Sequence, residues 1–335
     1  MSLRTLASTL LFLSATGPVP CMAQAKPAFD EVSFVSDREF DSASIIYVVA
    51  EERGFLAEAK IRLVPGSGEP AILPAAAPLP ARLNGEVVFA GRHRLYRIEA
   101  QQPGQLKIFG INAQDQKKWN EAILVRSSLK VDSLEKIPAG TKFGLVGGRG
   151  TSETLVGLAL KEAIVPPERL NFVNISQHPL AEYQGARASL LSGINALYAR
   201  EPYLSTIMAS GEWAALLDAP WYATHILSPW PLTMSAFDKH FLTSRPEVAK
   251  RLLQALERAQ VFVNEHPDEA DAIFTAYLKK KTGVSVKVRR VSFLRYDQVA
   301  PEILQKQADW YFTQGPLTGK INAGEMLFND KLLPQ

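Results

Sequence analysis

Lys142–Ile164, KFGLVGGRGTSETLVGLALKEAI, carries the pattern around which the chain is organised. A short apolar run, Phe143 to Val146, stops at Gly147, Gly148 and Gly150, and Thr151, Ser152 and Glu153 then open an amphipathic segment of helical period. The spacing predicts strand, tight turn, helix. A helix start exposes backbone N–H groups and the positive end of its dipole, and glycines admit a ligand close to the backbone, so the turn suits an anion. Thr151 or Ser152 can cap the helix and offer a hydroxyl. Any strand-to-helix turn also favours Gly, Ser and Thr, so this turn alone does not define a site. Glu153 stands where a dinucleotide fingerprint has its third glycine, and no Lys-Ser/Thr pair follows, which sets aside both nucleotide loops.

Outward from this stretch, strands and helices alternate. Upstream, the expected strands are Glu31–Val35, Ile61–Val64, Val87–Ala90, Leu106–Ile111 and Ala122–Val125. Between them, helices are expected over Ser42–Arg53, closed by Gly54, and over Arg94–Gln102. Pro65, Pro70, Pro74, Pro78 and Pro80 allow only short helical pieces before Asn84-Gly85. Downstream come a strand Asn171–Ile175, a helix Leu180–Ser192 closed by Gly193, a strand Ile194–Ala199, and an extended segment His225–Phe237. Pro229 and Pro231 should deny that segment the centre of a sheet. The remainder reads as helices Pro246–Asn264, Asp268–Lys280 and Pro301–Thr313. Such alternation predicts an α/β protein of two blocks, each a mostly parallel sheet with helices on both faces, the chain crossing between them near Glu121 and Ser228.

Composition narrows the class. The first 25 residues read as a secretory signal: Arg4 is the only charge, Leu6–Ala15 is apolar, and Ala23-Gln24-Ala25 is a small-x-small cleavage site. The apolar run is shorter than the roughly 18 residues that a membrane span needs. Pro20, where a lipoprotein signal has a small residue, weighs against lipid attachment at Cys21. Cys21 is the only cysteine among 335 residues, so the mature chain is expected to hold no disulfide or cysteine-metal framework. Removal of Arg4 leaves 36 Lys and Arg against 34 acids, a balance that gives no sign of nucleic-acid binding. The five histidines show no H-x-x-x-H spacing and there is no G-x-S-x-G elbow, so neither a metal nor a cofactor nor a hydrolase site is expected.

Several words in the chain match a known family. They include Tyr47-Val48-Val49-Ala50-Glu51-Glu52-Arg53-Gly54-Phe55, Leu83-Asn84-Gly85-Glu86-Val87-Val88-Phe89-Ala90-Gly91 and Gly150-Thr151-Ser152-Glu153. Further on stand Leu191-Ser192-Gly193-Ile194-Asn195-Ala196, Glu201-Pro202-Tyr203, Ser244-Arg245-Pro246-Glu247-Val248 and Asn264-Glu265-His266-Pro267-Asp268-Glu269-Ala270. In order and spacing the chain resembles the periplasmic substrate-binding proteins of ABC importers, in the branch for nitrate, sulfonates, taurine and thiamine-pyrimidine precursors. The resemblance implies a two-lobed type II periplasmic binding protein: lobe I from 26–121 and 229–335, lobe II from 122–228, and two crossover strands between them. It implies a monomer in the periplasm that binds a small solute in the cleft and delivers it to a permease and its ATPase, and Arg92, Arg94, Arg149 and Arg200 at the lobe edges make an anionic solute the expectation. It places the site on Ser36, Asp37, Ser42, Ser44, Arg92 and His93 of the first lobe, Trp119 at the crossover, and Gly150, Thr151, Ser152, Arg200 and Glu201 of the second. Arg94 and Arg149 stand beside these positions, and Trp119 and Trp230 are candidates for stacking on a flat ligand.

The departures are Val88 and Asn195 where the family usually has Asp, Ile46 where it often has Pro, and Arg200 where it often has an aromatic. Only the last falls in the cleft. Two other uses of the fold remain: a sensor presenting its closed form to a membrane receptor, and the cytoplasmic pyrimidine synthases that resemble this family, against which the export signal weighs.

Overall fold

The computed structural model describes residues 29–36, 41–66, 85–146, 151–175, 178–184, 189–216 and 221–333, with the backbone only for 151–155, 162, 167, 189, 221 and 222. The expected signal peptide, Cys21, most of the proline-rich stretch and Gly147–Gly150 lie outside the described residues, as does Asp37.

Two mixed sheets carry the fold. The first contains β1 (Asp30–Ser36), β2 (Ile61–Pro65), β3 (Val87–Gly91), β4 (Leu106–Gln114), β10 (Trp230–Asp238) and β11 (Ser292–Arg295), in the spatial order β11-β4-β10-β3-β1-β2. The second contains β5 (Glu121–Arg126), β6 (Lys142–Leu145), β7 (Asn171–Asn174), β8 (Ala196–Arg200) and β9 (Trp213–Ala215), in the order β7-β6-β8-β5-β9. Within each, neighbours joined by helical crossovers run parallel, β1 with β2 and β3, and β6 with β7 and β8. The strand that returns from the other sheet runs against them, β10 in the first and β5 in the second.

Helices cover both faces of each sheet. On the first, α1 (Ile45–Glu52), α2 (Phe55–Glu58), α7 (Lys239–Ser244), α8 (Pro246–Glu265) and α9 (Pro267–Thr282) lie over Val32, Phe89 and Phe237, while α3 (Arg92–Gln101) and α10 (Pro301–Thr313) lie over Val35, Val88 and Ala236. The alternation Val87, Val88, Phe89, Ala90 along β3, successive residues in opposite cores, is the period-2 pattern of a doubly covered strand. On the second sheet α4 (Thr151–Glu162) packs on Phe143 and Tyr198, and α5 (Tyr203–Met208) on Leu197 and Ala199; α6 (Trp221–His225) leads back toward β10. Proline opens α8, α9 and α10, where its missing N–H has no intrahelical partner to lose. Gly54 and Gly283, at φ 75° and 76°, close α1 and α9 in the left-handed region.

Four expectations are corrected. Residues 180–192 are not one helix: two 3₁₀ turns, Leu180–Tyr183 and Ser189–Leu191, are separated by an extended Gln184. The Tyr183 hydroxyl is drawn to the Ile175 carbonyl, which ties the first turn to the end of β7 instead of to a following helical turn. His225 is helical, not extended. Pro231 does lie in a strand interior to the sheet: it pairs with Ala113 of β4, while β3 pairs with β10 only from Thr233 onward and an irregularity in register separates Pro231 from Thr233, so the proline sits where β10 has β4 alone as its neighbour. The C-terminal part is not purely helical: β11 adds to the free edge of β4, a long-range pairing that four residues cannot announce.

Candidate functional site

The loops that follow β1, β3, β6 and β8 start from the carboxyl ends of parallel strands, where ligands bind in open α/β sheets. The segment joining β4 to β5 is where two of these loops meet. Asn120 Nδ2 donates to Ser42 Oγ at 3.0 Å and Asp41 Oδ1 at 3.4 Å, both in the loop after β1. The Asn120 carbonyl accepts the Glu201 N–H, at the end of β8 in the other sheet, at 2.8 Å. One buried residue of the crossover therefore ties the loop after β1 to the end of β8 in the other sheet. Its Oδ1 is buried and has no hydrogen-bond partner among the described residues.

Below this junction lies a buried polar floor. Glu121 accepts from Gln114 Nε2 at 2.6 Å and from the Tyr198 hydroxyl. Arg92 is not on a loop as the sequence suggests but is the first residue of α3, buried at 1% exposure. Its Nε donates to Tyr311 Oη at 2.8 Å, its Nη1 to the Leu232 carbonyl at 3.3 Å, and its guanidinium lies 5.3 Å from the Trp230 ring. Burial opposes its charge, but Tyr311, Glu121 and Tyr198 favour it, and the net effect raises its pKa above the usual value. A charge so deep requires such partners. Two of its donors are thus committed within the first lobe. Arg94 is buried as well.

His93 turns away from the crossover. Its Nε2 faces the Pro316 carbonyl at 3.3 Å, and its ring lies 6.0 Å from that of Tyr311. Burial, only partly offset by the Pro316 hydrogen bond and reinforced by Arg97, Arg92 and Arg94, holds its pKa down to about 4. Ser44 Oγ donates back to the Asp41 carbonyl at 2.7 Å and shapes the turn, while Ser36 ends β1 buried beside β3.

On the second lobe, Thr151 and Ser152 open α4, as expected. Arg200 ends β8 half-buried, in register with Glu121. Glu201, at 1% exposure, accepts from Ser205 Oγ at 2.6 Å and Ser205 N–H at 3.1 Å. It also accepts from the Arg289 N–H of the first lobe at 3.1 Å. Burial pushes its carboxyl up to about 7 against these hydrogen bonds and the Arg289 charge. The Arg289 guanidinium lies 4.1 Å over the Trp119 ring. Trp119 is therefore stacked by a protein cation, and Trp230 is fully buried between Arg92, Trp310 and Tyr311.

The structure thus brings Ser42, Glu201 and the crossover together, and Arg92 with Glu121 beneath them. It does not bring His93 there, and Asp37 and Gly150 lie outside the described residues. Gln114, Tyr198, Arg289 and Tyr311 were not expected. No local motif marks them, because each reaches the seam by tertiary packing. Among the described residues no group of His, Cys, Asp and Glu is arranged to hold a metal ion, and no helix is long and apolar enough to cross a membrane.

No protein-family model matches the sequence, and no curated protein matches it. Solved structures do. The alkanesulfonate-binding protein SsuA from Xanthomonas axonopodis pv. citri, bound to MOPS, superposes with a TM-score of 0.60 at 15% identity, over 91% of this chain and 99% of that one. The periplasmic aliphatic sulphonate binding protein SsuA from Escherichia coli gives 0.63 at 16%, over 91% and 93%. The desulfurization enzyme DSZB gives 0.61 at 17%, over 90% and 97%. At these identities the likeness is one of fold: the chain has the two-lobed periplasmic binding protein architecture, which serves both binding proteins and an enzyme.

Proposed function

We propose that this chain is the extracytoplasmic solute-binding subunit of an ABC importer. In this reading a monomer in the periplasm captures a small anion, a sulfonate or a close carboxylate analogue, between lobe I (26–121 and 229–335) and lobe II (122–228). It then closes by hinge bending and presents the solute to a permease. The observation that carries the reading is Asn120, one residue of the hinge bonded to the loop after β1 and to the loop after β8. Such a junction lets an occupant of the cleft act on both lobes at once. Two solved proteins of the same fold are sulfonate binders by their descriptions, and MOPS, held by one of them, is itself a sulfonate.

Arg200 is the anion ligand in this reading. It is half-buried, where Arg92 is committed to Tyr311 and Leu232, and it stands beside the hinge at the end of β8. Micromolar binding amounts to about 8 kcal/mol, and a charge-assisted hydrogen bond contributes about 1.5–3 kcal/mol. Arg200→Ala is therefore expected to weaken an alkanesulfonate roughly ten- to a hundredfold by calorimetry. Unchanged affinity removes Arg200 from the site. Recovery of the bound sulfonate chemically intact supports a carrier, whereas its conversion on incubation with the protein identifies an enzyme.

A further inference from the structure

Beside the hinge, a groove of about 740 Å³ is lined by Lys118 of the crossover, Ser205 of α5 in the second lobe, and Lys287, Arg289 and Arg290 of the segment between α9 and β11 in the first. Val263, Val288 and Phe293 supply apolar lining. We propose that this groove, which spans the two lobes beside the hinge, is a second ligand site, distinct from the one at Arg200, that takes a small organic dicarboxylate bridging Lys118 and Arg289.

The charges are unbalanced in a particular way. Among the lining residues four cations face one carboxylate, Asp271, which is buried and already shared: Lys287 Nζ lies 3.1 Å and Arg290 Nε 3.0 Å from it. Asp268, 3.6 Å from Lys287, adds to the same pairing. Lys118 and Arg289 form no ion pair with a carboxylate among the described residues; the surplus is theirs. The Glu201 carboxyl, on which the Arg289 charge acts, engages the Arg289 backbone N–H.

Arg289 is also held in place. Its backbone is fixed by Glu201, and its guanidinium carbon lies 4.1 Å over the Trp119 ring. A guanidinium held over an indole ring retains N–H donors for a carboxylate, and less side-chain freedom remains to be lost on binding. The volume falls within the roughly 300–1,000 Å³ of small-molecule sites. Two separate cations on apolar lining match two carboxylates on a short carbon chain better than one compact charge. Because Lys118, Ser205 and Arg289 come from the hinge and the two lobes, the occupant touches all three.

The test is calorimetry with succinate in low-salt buffer, with acetate as the monovalent control. Succinate is expected to bind the wild-type chain and Arg200→Ala equally, at least about tenfold tighter than acetate. It is expected to weaken at least about tenfold in Lys118→Glu and in Arg289→Gln. Lys118 is exposed, so its reversal leaves the fold intact, and circular dichroism checks both variants. Equal affinity in Lys118→Glu and the wild type overturns the proposal, as does the absence of binding to the wild type. Loss of succinate in Arg200→Ala also overturns it, since the heat would then come from the site at Arg200. Sulfonate binding that fails while succinate binding persists counts against the carrier reading alone.

Discussion

At the scale of single residues, two buried titratable groups shape how stability depends on pH, and they act in opposite senses. Glu201 has its carboxyl raised to about 7 from an ordinary 4.5, so its contribution is fully present below about pH 4.5 and is lost as pH rises through 7. His93 is lowered to about 4 from 6.5, so its contribution is present above about pH 6.5 and is lost as pH falls through 4. Between these limits the two slopes partly cancel in the wild-type chain. Glu201→Gln is expected to leave a melting temperature that drops as the buffer is made more acidic, and His93→Gln one that drops as it is made more alkaline. For Glu201 the swing is roughly 3 kcal/mol at most, at about 1.4 kcal/mol per unit. Thermal melts of both variants from pH 4 to 8 decide the matter; parallel profiles would show that neither group titrates as its surroundings dictate.

At the scale of elements, β10 is the strand on which the first lobe depends. It is buried along its whole length and joins β3 to β4, with cores on both faces. Phe237 fixes it to the α8 side: its ring stacks on Phe109 at 4.1 Å between centroids and meets Phe241 and Phe328 edge or tilted. The Asp238 carboxylate then stops the strand by accepting the His240 N–H at 2.8 Å and starting α7. Removing a fully buried aromatic ring leaves a cavity that a stacked neighbour cannot fill, so Phe237→Ala is expected to cost about 3–5 kcal/mol in urea denaturation. A loss below about 1 kcal/mol would mean that β10 is not held by this face.

At the scale of the molecule, each sheet has a core on either face, and among the described residues the two lobes meet at Asn120 with Asp41, Ser42 and Glu201, at Glu121 with Gln114 and Tyr198, at Arg289 with Glu201 and Trp119, and at Ala223 of α6, which packs in a core of the first sheet. A solute that binds the folded, closed form stabilises it by mass action, about 2.7 kcal/mol at a hundred times its dissociation constant. Saturating alkanesulfonate is therefore expected to raise the melting temperature of the wild-type chain. Asn120→Ala removes the side-chain tie to the loop after β1 while leaving its backbone tie to Glu201, and it is expected to diminish that rise. An undiminished shift in Asn120→Ala would mean that the junction plays no part in the response.

The α/β class, the two blocks and most strands and helices are legible in the chain by itself, because Pro246 and Pro301 start helices, Gly54 ends one, and Val87–Ala90 is a short continuous apolar run. These signals act between neighbours a few residues apart, where propensity, capping and periodicity operate. The expected site loops follow from the ends of those elements, and Ser42 and Glu201 do meet at the crossover. The rest is set by contacts that no local pattern encodes: β11 on the edge of β4, Arg92 drawn inward to Tyr311 and Glu121, His93 turned to Pro316, and Arg289 laid on Trp119. The reason is physical. A buried charge or an unpaired strand edge takes whichever partner the packing of distant segments brings within hydrogen-bond reach, and only the folded chain decides which partner that is.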